Sequence, residues 1–294
     1  MIEITDVTKK FGSFKALDGV SLHIGRAESV CLLGENGAGK STLIKCILGM
    51  LEYSGQIKLN NKLLYPGSTD HKFDIGYIPQ QPVFYDMKVD EVMSFFAVLR
   101  KADSAKINKS IEFTGLSDHT NKLTSELSGG LKQRLSFAVA LLTDPPVLIL
   151  DEPTSNLDAS ARLDLLKIVK TLNECGKTVL FSSHRMDEVE YLAERVYVLK
   201  AAKIVKESTQ KQLADNLGLK TKIVLNIKPD LLSSTEKLLS AKGLTSISRN
   251  GAGLYVNIEK GEKLTALKII LENNIAADDI SIETPSMDEI IRSL

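Results

Sequence analysis

Apolar residues along the chain fall into short runs whose spacing changes repeatedly between two periods. Ile2, Ile4 and Val7 alternate with polar neighbours, and Leu17 to Ile24 alternate more loosely, which predicts two strands. Gly25-Arg26 turns the chain into Val30–Leu33, an unbroken apolar run that predicts a buried strand. Thr42 to Leu48 follow with helical spacing at Leu43, Ile44, Ile47 and Leu48. Tyr53–Leu59 and Lys62–Leu64 predict a hairpin across Asn60-Asn61. Phe73–Ile78 predicts another strand, stopped by Pro79-Gln80-Gln81-Pro82, which sets both glutamines in a loop.

From about residue 82 to 135 the period is helical, and this stretch reads as an insertion. Val89, Val92, Met93, Phe96, Val98 and Leu99 mark one helix, and Lys106 to Gly115 a second. Another helix runs from Ser128-Gly129-Gly130 through Leu142 and is stopped by Pro145-Pro146. Val147–Leu150 is again a continuous apolar strand, and it ends on Asp151-Glu152. A helix over Ala159–Glu174, closed by Gly176, then precedes strand Val179–Ser182, helix Arg185–Ala193 and strands Val196–Leu199 and Ile204-Val205.

Ser208 to Leu217 predicts a short helix with Ser208 as cap and Gly218 as stop, and the domain boundary is set there. Residues 1–218 form the first domain and 219–294 the second. The second restarts the pattern: strand Lys222–Ile227, helix Asp230–Lys242, strands Leu244–Ser248 and Leu254–Ile258, helix Lys263–Asn273 and strand Ile280–Glu283. That βαββαβ order is the ferredoxin-like arrangement. Pro285 to Leu294 predicts one more short helix.

The chemistry concentrates at the ends of the apolar runs. Gly34-Glu35-Asn36-Gly37-Ala38-Gly39-Lys40-Ser41-Thr42 is G-x-x-x-x-G-K-[ST], set between the buried strand and the helix that the motif requires. Its glycines let backbone N–H groups close on phosphate oxygens, and the helix start adds its positive end. Lys40 can reach the β- and γ-phosphates, and the Ser41 hydroxyl can ligate Mg²⁺. Ser128-Gly129-Gly130 is a second anion-ready helix start. An apolar strand ending on Asp151 fits a Mg²⁺-positioning strand, with Glu152 as a candidate base for water. His184 stands just past a predicted parallel strand, where open α/β sheets place ligands. Phe11-Gly12 lies between the first two strands, where an aromatic can stack on adenine or simply flank the turn in the core.

Composition narrows the class. The chain has 294 residues, 43% hydrophobic and 25% charged, with a formal net charge of zero. A phosphate-backbone binder carries a basic excess, so no nucleic-acid partner is expected. Trp is absent and aromatics are sparse, which leaves no base-stacking platform. Cys31, Cys46 and Cys175 lack ligand spacing. Cys31 and Cys46 read as small buried residues, and no disulfide is implied, which fits a reducing cytoplasm. The first residues carry no signal-peptide pattern. The longest apolar candidate, Leu135 to Leu150, is broken by Thr143-Asp144-Pro145-Pro146, so the chain is not expected to cross a membrane.

Gly34–Thr42, Gln80, Leu127–Arg134, Val147–Glu152, Leu157-Asp158 and His184 stand in the order and rough spacing of an ABC-transporter ATP-binding subunit, and over residues 1 to about 215 the chain resembles that family. The resemblance implies an α/β fold: a P-loop ABC ATPase domain with a RecA-like core, an antiparallel β subdomain and a helical subdomain, followed here by the small α+β domain. It implies ATP and Mg²⁺ as cofactors. Phe11 would stack on adenine, where the family more often has Tyr, and Gly34 to Thr42 would hold the triphosphate. Ser41 and Gln80 would ligate Mg²⁺, with Asp151 reaching it through water. Glu152 would polarise the attacking water and His184 would contact the γ-phosphate. Ser128, Gly129 and Gly130 would serve the ATP of a second subunit, with Asp158 at the dimer seam. Leu131 departs from the family's commonest Gln but leaves the serine and glycines intact.

The same resemblance implies a homodimer closed by two ATP molecules on the cytoplasmic face of the membrane. It also implies an integral-membrane transporter subunit contacted through Gln81 to Leu99, where Val83, Phe84 and Tyr85 are apolar. A soluble ABC machine acting on ribosomes or DNA is disfavoured by a single cassette and by the short, heptad-free stretch from Gln80 to Leu127. Parts of the sequence are similar both to general ABC-2-type ATPases and to the ATPase of the copper-site maturation transporter for nitrous oxide reductase. The C-terminal domain has no His or Cys, so a soft metal has no ligands there.

Overall fold

The computed structural model describes residues 1–68, 71, 73–210, 212, 221–244, 247–250, 253–258, 262–273 and 275–283. The chain divides into two compact units, Met1–Gln210 and Lys211–Leu294. No helix among the described residues is long and apolar enough to cross a membrane.

The first unit is built on two sheets. The antiparallel one has the order β2-β1-β4-β5, from β1 (Ile2–Phe11), β2 (Phe14–Ile24), β4 (Ser54–Leu59) and β5 (Lys62–Leu63). Its β4–β5 hairpin turns on Asn60 and Asn61, with φ of 49° and 65°. Two successive positive φ values match the right-handed twist of the flanking strands, and asparagine tolerates them.

The second sheet has the order β10-β9-β3-β8-β7-β6, with β10 (Lys203–Thr209) at one edge. Its parallel part consists of β3 (Ser29–Leu33), β6 (Ile75–Ile78), β7 (Val147–Asp151), β8 (Thr178–Ser183) and β9 (Arg195–Lys200). Every residue of β3, β7 and β8 is buried. That is why these strands are continuous apolar runs rather than alternating ones. Helix α1 (Lys40–Ile47) follows β3, α5 (Ala159–Glu174) follows β7 and α6 (Met186–Leu192) follows β8.

Helices α2 (Val89–Arg100), α3 (Ser104–Phe113) and α4 (Gly129–Leu141) share a separate core of Val89, Val92, Met93, Ala97, Ile111, Leu135 and Ala138, among others. Two of the apolar positions that marked α2 in the sequence do not face it: Val98 and Leu99 are 79% and 56% exposed. Ala97 takes the inward place instead.

The edge strand β10 (Lys203–Thr209) corrects the expected helix start at Ser208. Ser208 and Thr209 pair with Val196 and Arg195 of β9. The register shifts between Ile204 and Lys206, a bulge that leaves Val205 half exposed. Exposure still alternates along the strand, but its less exposed positions are Ile204, Lys206 and Ser208, so polar residues erase the sequence signature of a long strand. Residues 213–218 of the expected helix, with its Gly218 stop, and the helix expected over 285–294 lie outside the described residues.

The second unit follows the order β11 (Thr221–Asn226), α7 (Leu232–Ala241), β12 (Ile247–Asn250), β13 (Gly253–Ile258), α8 (Lys263–Glu272) and β14 (Asp279–Glu283). Its sheet order is β12-β13-β11-β14, with each neighbouring pair antiparallel. Ile223, Leu225, Leu239, Leu254, Val256, Ala266 and Ile270 form its core.

One ion pair ties the start of β3 to β9. Arg195 donates from Nε and Nη2 to Glu28 at 2.7 and 2.5 Å, and from Nη1 to Glu207 at 3.0 Å. Burial alone would raise the Glu28 carboxyl, but the bonds from Arg195 and the Gly25 N–H outweigh it and hold it below its usual range. Arg195→Met is expected to destabilise the first unit by about 2 kcal/mol at neutral pH, because it leaves a part-buried carboxylate unpaired. Since the folded carboxyl titrates below its unfolded value, this contribution is present above that value and lost as the pH falls through the folded one. Denaturant unfolding should therefore show the gap between Arg195→Met and wild type closing below about pH 4.

Candidate functional site

Four neighbouring parallel strands, β3, β8, β7 and β6, deliver their C-terminal ends to one place. The loop after β3 brings Lys40 and Ser41, β7 brings Asp151 and Glu152, β8 brings Ser182 and His184, and β6 leads into Gln80. Ligands gather at such ends in open α/β sheets.

The phosphate loop is shaped by close backbone packing. Gly39 has φ 112°, and a Cβ there would lie 2.5 Å from the Ala16 carbonyl oxygen. At Gly34 a Cβ would lie 2.4 Å from the Leu199 carbonyl oxygen. Neither site admits a side chain. Helix α1 opens at Lys40 with no side-chain cap and no acidic residue in its first turn. Its leading N–H groups are therefore left for an anion.

Glu152 is the hub. Its carboxylate lies 3.1 Å from Lys40 Nζ through Oε1. Its Oε2 accepts from Gln80 Nε2 at 3.3 Å and lies 3.2 Å from His184 Nδ1. Lys40 and Glu152 are buried, at 4% and 8% exposure. Lys40 also donates to the carbonyls of Gly34 and Glu35, at 2.7 and 3.0 Å. The Glu152 backbone sits at φ 43°, an uncommon conformation for a side-chain-bearing residue. It is held there in part by its N–H, which donates to Ser182 Oγ at 2.9 Å.

Asp151 lies beside it, also buried. Ser41 and Ser182 both donate to its Oδ1, at 2.9 and 2.8 Å. The Tyr77 hydroxyl is pushed up to about 12, by burial first and by the charge on Asp151 second.

The cleft beside these groups holds about 530 Å³ and is lined by Phe11, Phe14, Ala16, Asn36, Gly37, Gly39, Lys40, Ser41, Thr42, Gln80 and Glu152. Phe11 ends β1 and is 49% exposed at this cleft, so it does not belong to the core. Lys9 Nζ stands 5.0 Å from its ring centre. Ala38 is buried, and its N–H donates to the Glu35 carbonyl at 3.2 Å.

Ser128, Gly129, Gly130 and Asp158 do not line this cleft. They stand together at the adjoining starts of α4 and α5. Ser128 Oγ accepts from Leu131 N–H at 3.4 Å, and Asp158 Oδ1 from Ala161 N–H at 2.9 Å. A Cβ on Gly130 would lie 3.0 Å from that of Ala161. The sequence reading missed Phe14 and Ser182. Phe14 is the hairpin partner of Phe11 and so shares its place on the cleft. Ser182 is a hydroxyl inside an otherwise apolar strand, which was the available signal.

A glycine-shaped anion loop, a helix start, a buried lysine and an aspartate–glutamate pair at a strand end define a phosphate-loop nucleoside triphosphatase. Residues 17–155 match the family described as ABC transporter. The chain is 33% identical over 297 residues to an uncharacterised ABC transporter ATP-binding protein of Bacillus subtilis, YhaQ, covering 99% of this chain and 97% of that one. It is 32% identical over 233 residues to the linearmycin resistance ATP-binding protein LnrL of the same organism, covering 77% and 75%. An ATP-binding cassette solved as a dimer in a post-hydrolysis state with ADP and Pi superposes with a TM-score of 0.64 at 26% identity, over 71% of this chain and 99% of that one. The chain belongs to the ABC transporter family, as an ATP-binding subunit that binds and hydrolyses ATP. Cassettes of this family dimerise and work with membrane transporter subunits.

Gly39→Ala should force the Ala16 carbonyl and the loop apart, at about 1–3 kcal/mol of local strain. Titration with a fluorescent ATP analogue is expected to show affinity at least about tenfold weaker.

Proposed function

We propose that two copies of this chain close face to face on two ATP molecules and open again after hydrolysis, driving an integral-membrane partner. The observation that carries the reading is the separation of the two anion-ready helix starts. Lys40 and Glu152 line one cleft, and Ser128, Gly129 and Gly130 are not among the residues that line it. A phosphate loop grips one side of the γ-phosphate. The transition state spreads charge over oxygens that also need donors from the other side. A second copy related by a twofold axis supplies Ser128 and the N–H groups after it. Asp158, at the neighbouring helix start, then falls at the seam.

Within each site the triphosphate draws Lys40 toward its β- and γ-oxygens and away from Glu152. Glu152 then orients and polarises the attacking water, and His184 contacts the γ-phosphate. Phe11 offers its exposed ring to adenine, and Gly34 to Thr42 cradle the phosphates. The oxygen donors Ser41, Asp151 and Gln80 suit Mg²⁺, a hard cation that takes few protein ligands and keeps waters and phosphate oxygens around it. The ion would supply charge neutralisation between the β- and γ-phosphates.

The membrane partner docks on Gln81 to Leu99. Val83 and Tyr85 are 90% and 82% exposed, whereas Phe84 packs against the helical core. Pro82, Val83, Phe84, Asp86, Thr124, Ser125 and Lys132 line a cleft of about 280 Å³ beside them. The protein thus works peripherally, on the cytoplasmic face. The linearmycin resistance relative favours an exporter of the ABC-2 type over a metal-maturation transporter.

Glu152→Gln is expected to lower the ATPase rate by about 10²- to 10³-fold and to yield an ATP-dependent dimer in size-exclusion chromatography with light scattering. An unchanged rate removes Glu152 from its role. Mixing a Lys40→Ala protomer with a Ser128→Ala protomer should restore hydrolysis through the one intact composite site of the heterodimer. No restored activity in a mixture shown to contain heterodimers would sink the shared-site reading.

A further inference from the structure

Beyond Asp151 and Glu152, a third buried carboxylate bonds neither Lys40 nor the Glu152 side chain. Glu188, on α6, is only 2% exposed. Its Oε1 accepts a short hydrogen bond from the Thr154 hydroxyl, and its Oε2 accepts one from the Ser183 hydroxyl at 2.7 Å. Thr154 and Ser183 are themselves buried, at 4% and 2% exposure. Arg185 Nε lies 3.6 Å from Glu188 Oε1, but its guanidinium is also hydrogen-bonded to Asp187, at 3.1 and 3.0 Å. A carboxylate this deep survives only with its oxygens satisfied.

The direction of those bonds has a consequence. A carboxylate only accepts, so both hydroxyls must donate to it. The Ser183 oxygen is then free to accept, and it takes the Arg185 N–H at 3.0 Å. That bond closes a tight turn whose middle residue is His184. Thr154, on the other side of Glu188, lies two residues beyond Glu152 and begins the segment that leads to Asp158. Glu188 therefore joins the His184 turn to the strand end that carries Glu152.

We infer that Glu188 is a positioning residue for hydrolysis, fixing the donor direction of Thr154 and Ser183 so that His184 and Glu152 are held in register. The inference rests on the roles given above to His184 and Glu152. It extends them to a buried group that is not among the residues lining the cleft. Glutamine keeps the shape of Glu188 but turns one acceptor into a donor. One of the two hydroxyls must then reverse, and the turn or the segment after Glu152 loosens.

The test compares wild type, Glu188→Gln, His184→Ala and the double variant, all as full-length protein. Steady-state ATPase kinetics and ATP affinity are measured for each, with melting temperature as a check on folding. Glu188→Gln is expected to lower kcat about tenfold while KM and ATP affinity stay within about twofold. On the His184→Ala background the same change is expected to lower kcat by less than about twofold, because the two residues act on one step. Thr154→Val reaches the same link from the other side and should reproduce the kcat loss without altering the carboxylate. The inference is overturned by a Glu188→Gln variant with wild-type kcat beside an impaired His184→Ala variant. It is equally overturned by the same fold loss on both backgrounds, the mark of general destabilisation. A His184→Ala variant with wild-type kcat refutes the role of His184 itself, and the inference falls with it.

Discussion

The ion pair between Lys40 and Glu152, 3.1 Å long and almost wholly out of water, is the contact on which the site is organised. It joins residues that follow β3 and β7, two strands separated in the sheet by β8. The intervening strand supplies the groups that hold both partners: Ser182 takes the Glu152 N–H and bonds Asp151, and His184 meets the Glu152 carboxylate. Each of these side chains can reach the others only because the chain visits the sheet out of spatial order. The register of β7 on β8, with Asp151 beside Ser182, sets the distance between them.

Such a pair is not a cheap source of stability. Removing two charges from water costs several kcal/mol for each ion, and the mutual attraction repays that only with good geometry and further hydrogen bonds. Here Lys40 has two backbone carbonyls and Glu152 has Gln80 and His184 nearby. The arrangement makes better sense as a poised state. On the proposed function, an incoming triphosphate would offer Lys40 a stronger anion than one carboxylate, and Glu152 would be released to act on water. The left-handed backbone at Glu152, pinned by Ser182, keeps the freed carboxylate from wandering.

Much of this was legible along the chain because the sheet interior is apolar on both faces. Val30–Leu33 and Val147–Leu150 announce buried strands, and the polar residues that end them stand out by contrast. The phosphate loop was readable for a steric reason, since its glycines sit where the Leu199 and Ala16 carbonyls leave no room for Cβ. What stayed hidden depends on which way a side chain points. Glu188 lies in the acidic first turn of a short helix, where an acidic residue ordinarily faces solvent, and only the fold turns it inward. Val98 and Leu99 fit a helical stripe yet face outward, and in β10 the polar Lys206 and Ser208 take the less exposed positions, which hides the alternation that marks a strand. Phe14 became part of the cleft only once its hairpin register with Phe11 was fixed.

The starts of α4 and α5 make the strongest case that one copy is half a machine. Ser128 and Asp158 cap neighbouring helices with their own side chains, and Gly130 allows those helices to approach until a Cβ would crowd Ala161. Close packing of two helix starts gathers positive dipole ends on one surface. Within a protomer that surface lies off the cleft that holds Lys40. Ser128 and Asp158 each take one N–H of these starts, which leaves further leading N–H groups to meet a negative charge from outside. On the proposed function, the γ-phosphate held by another copy would be that charge. Twofold symmetry would then make the two needs identical, each protomer of the proposed dimer lending and receiving the same donors.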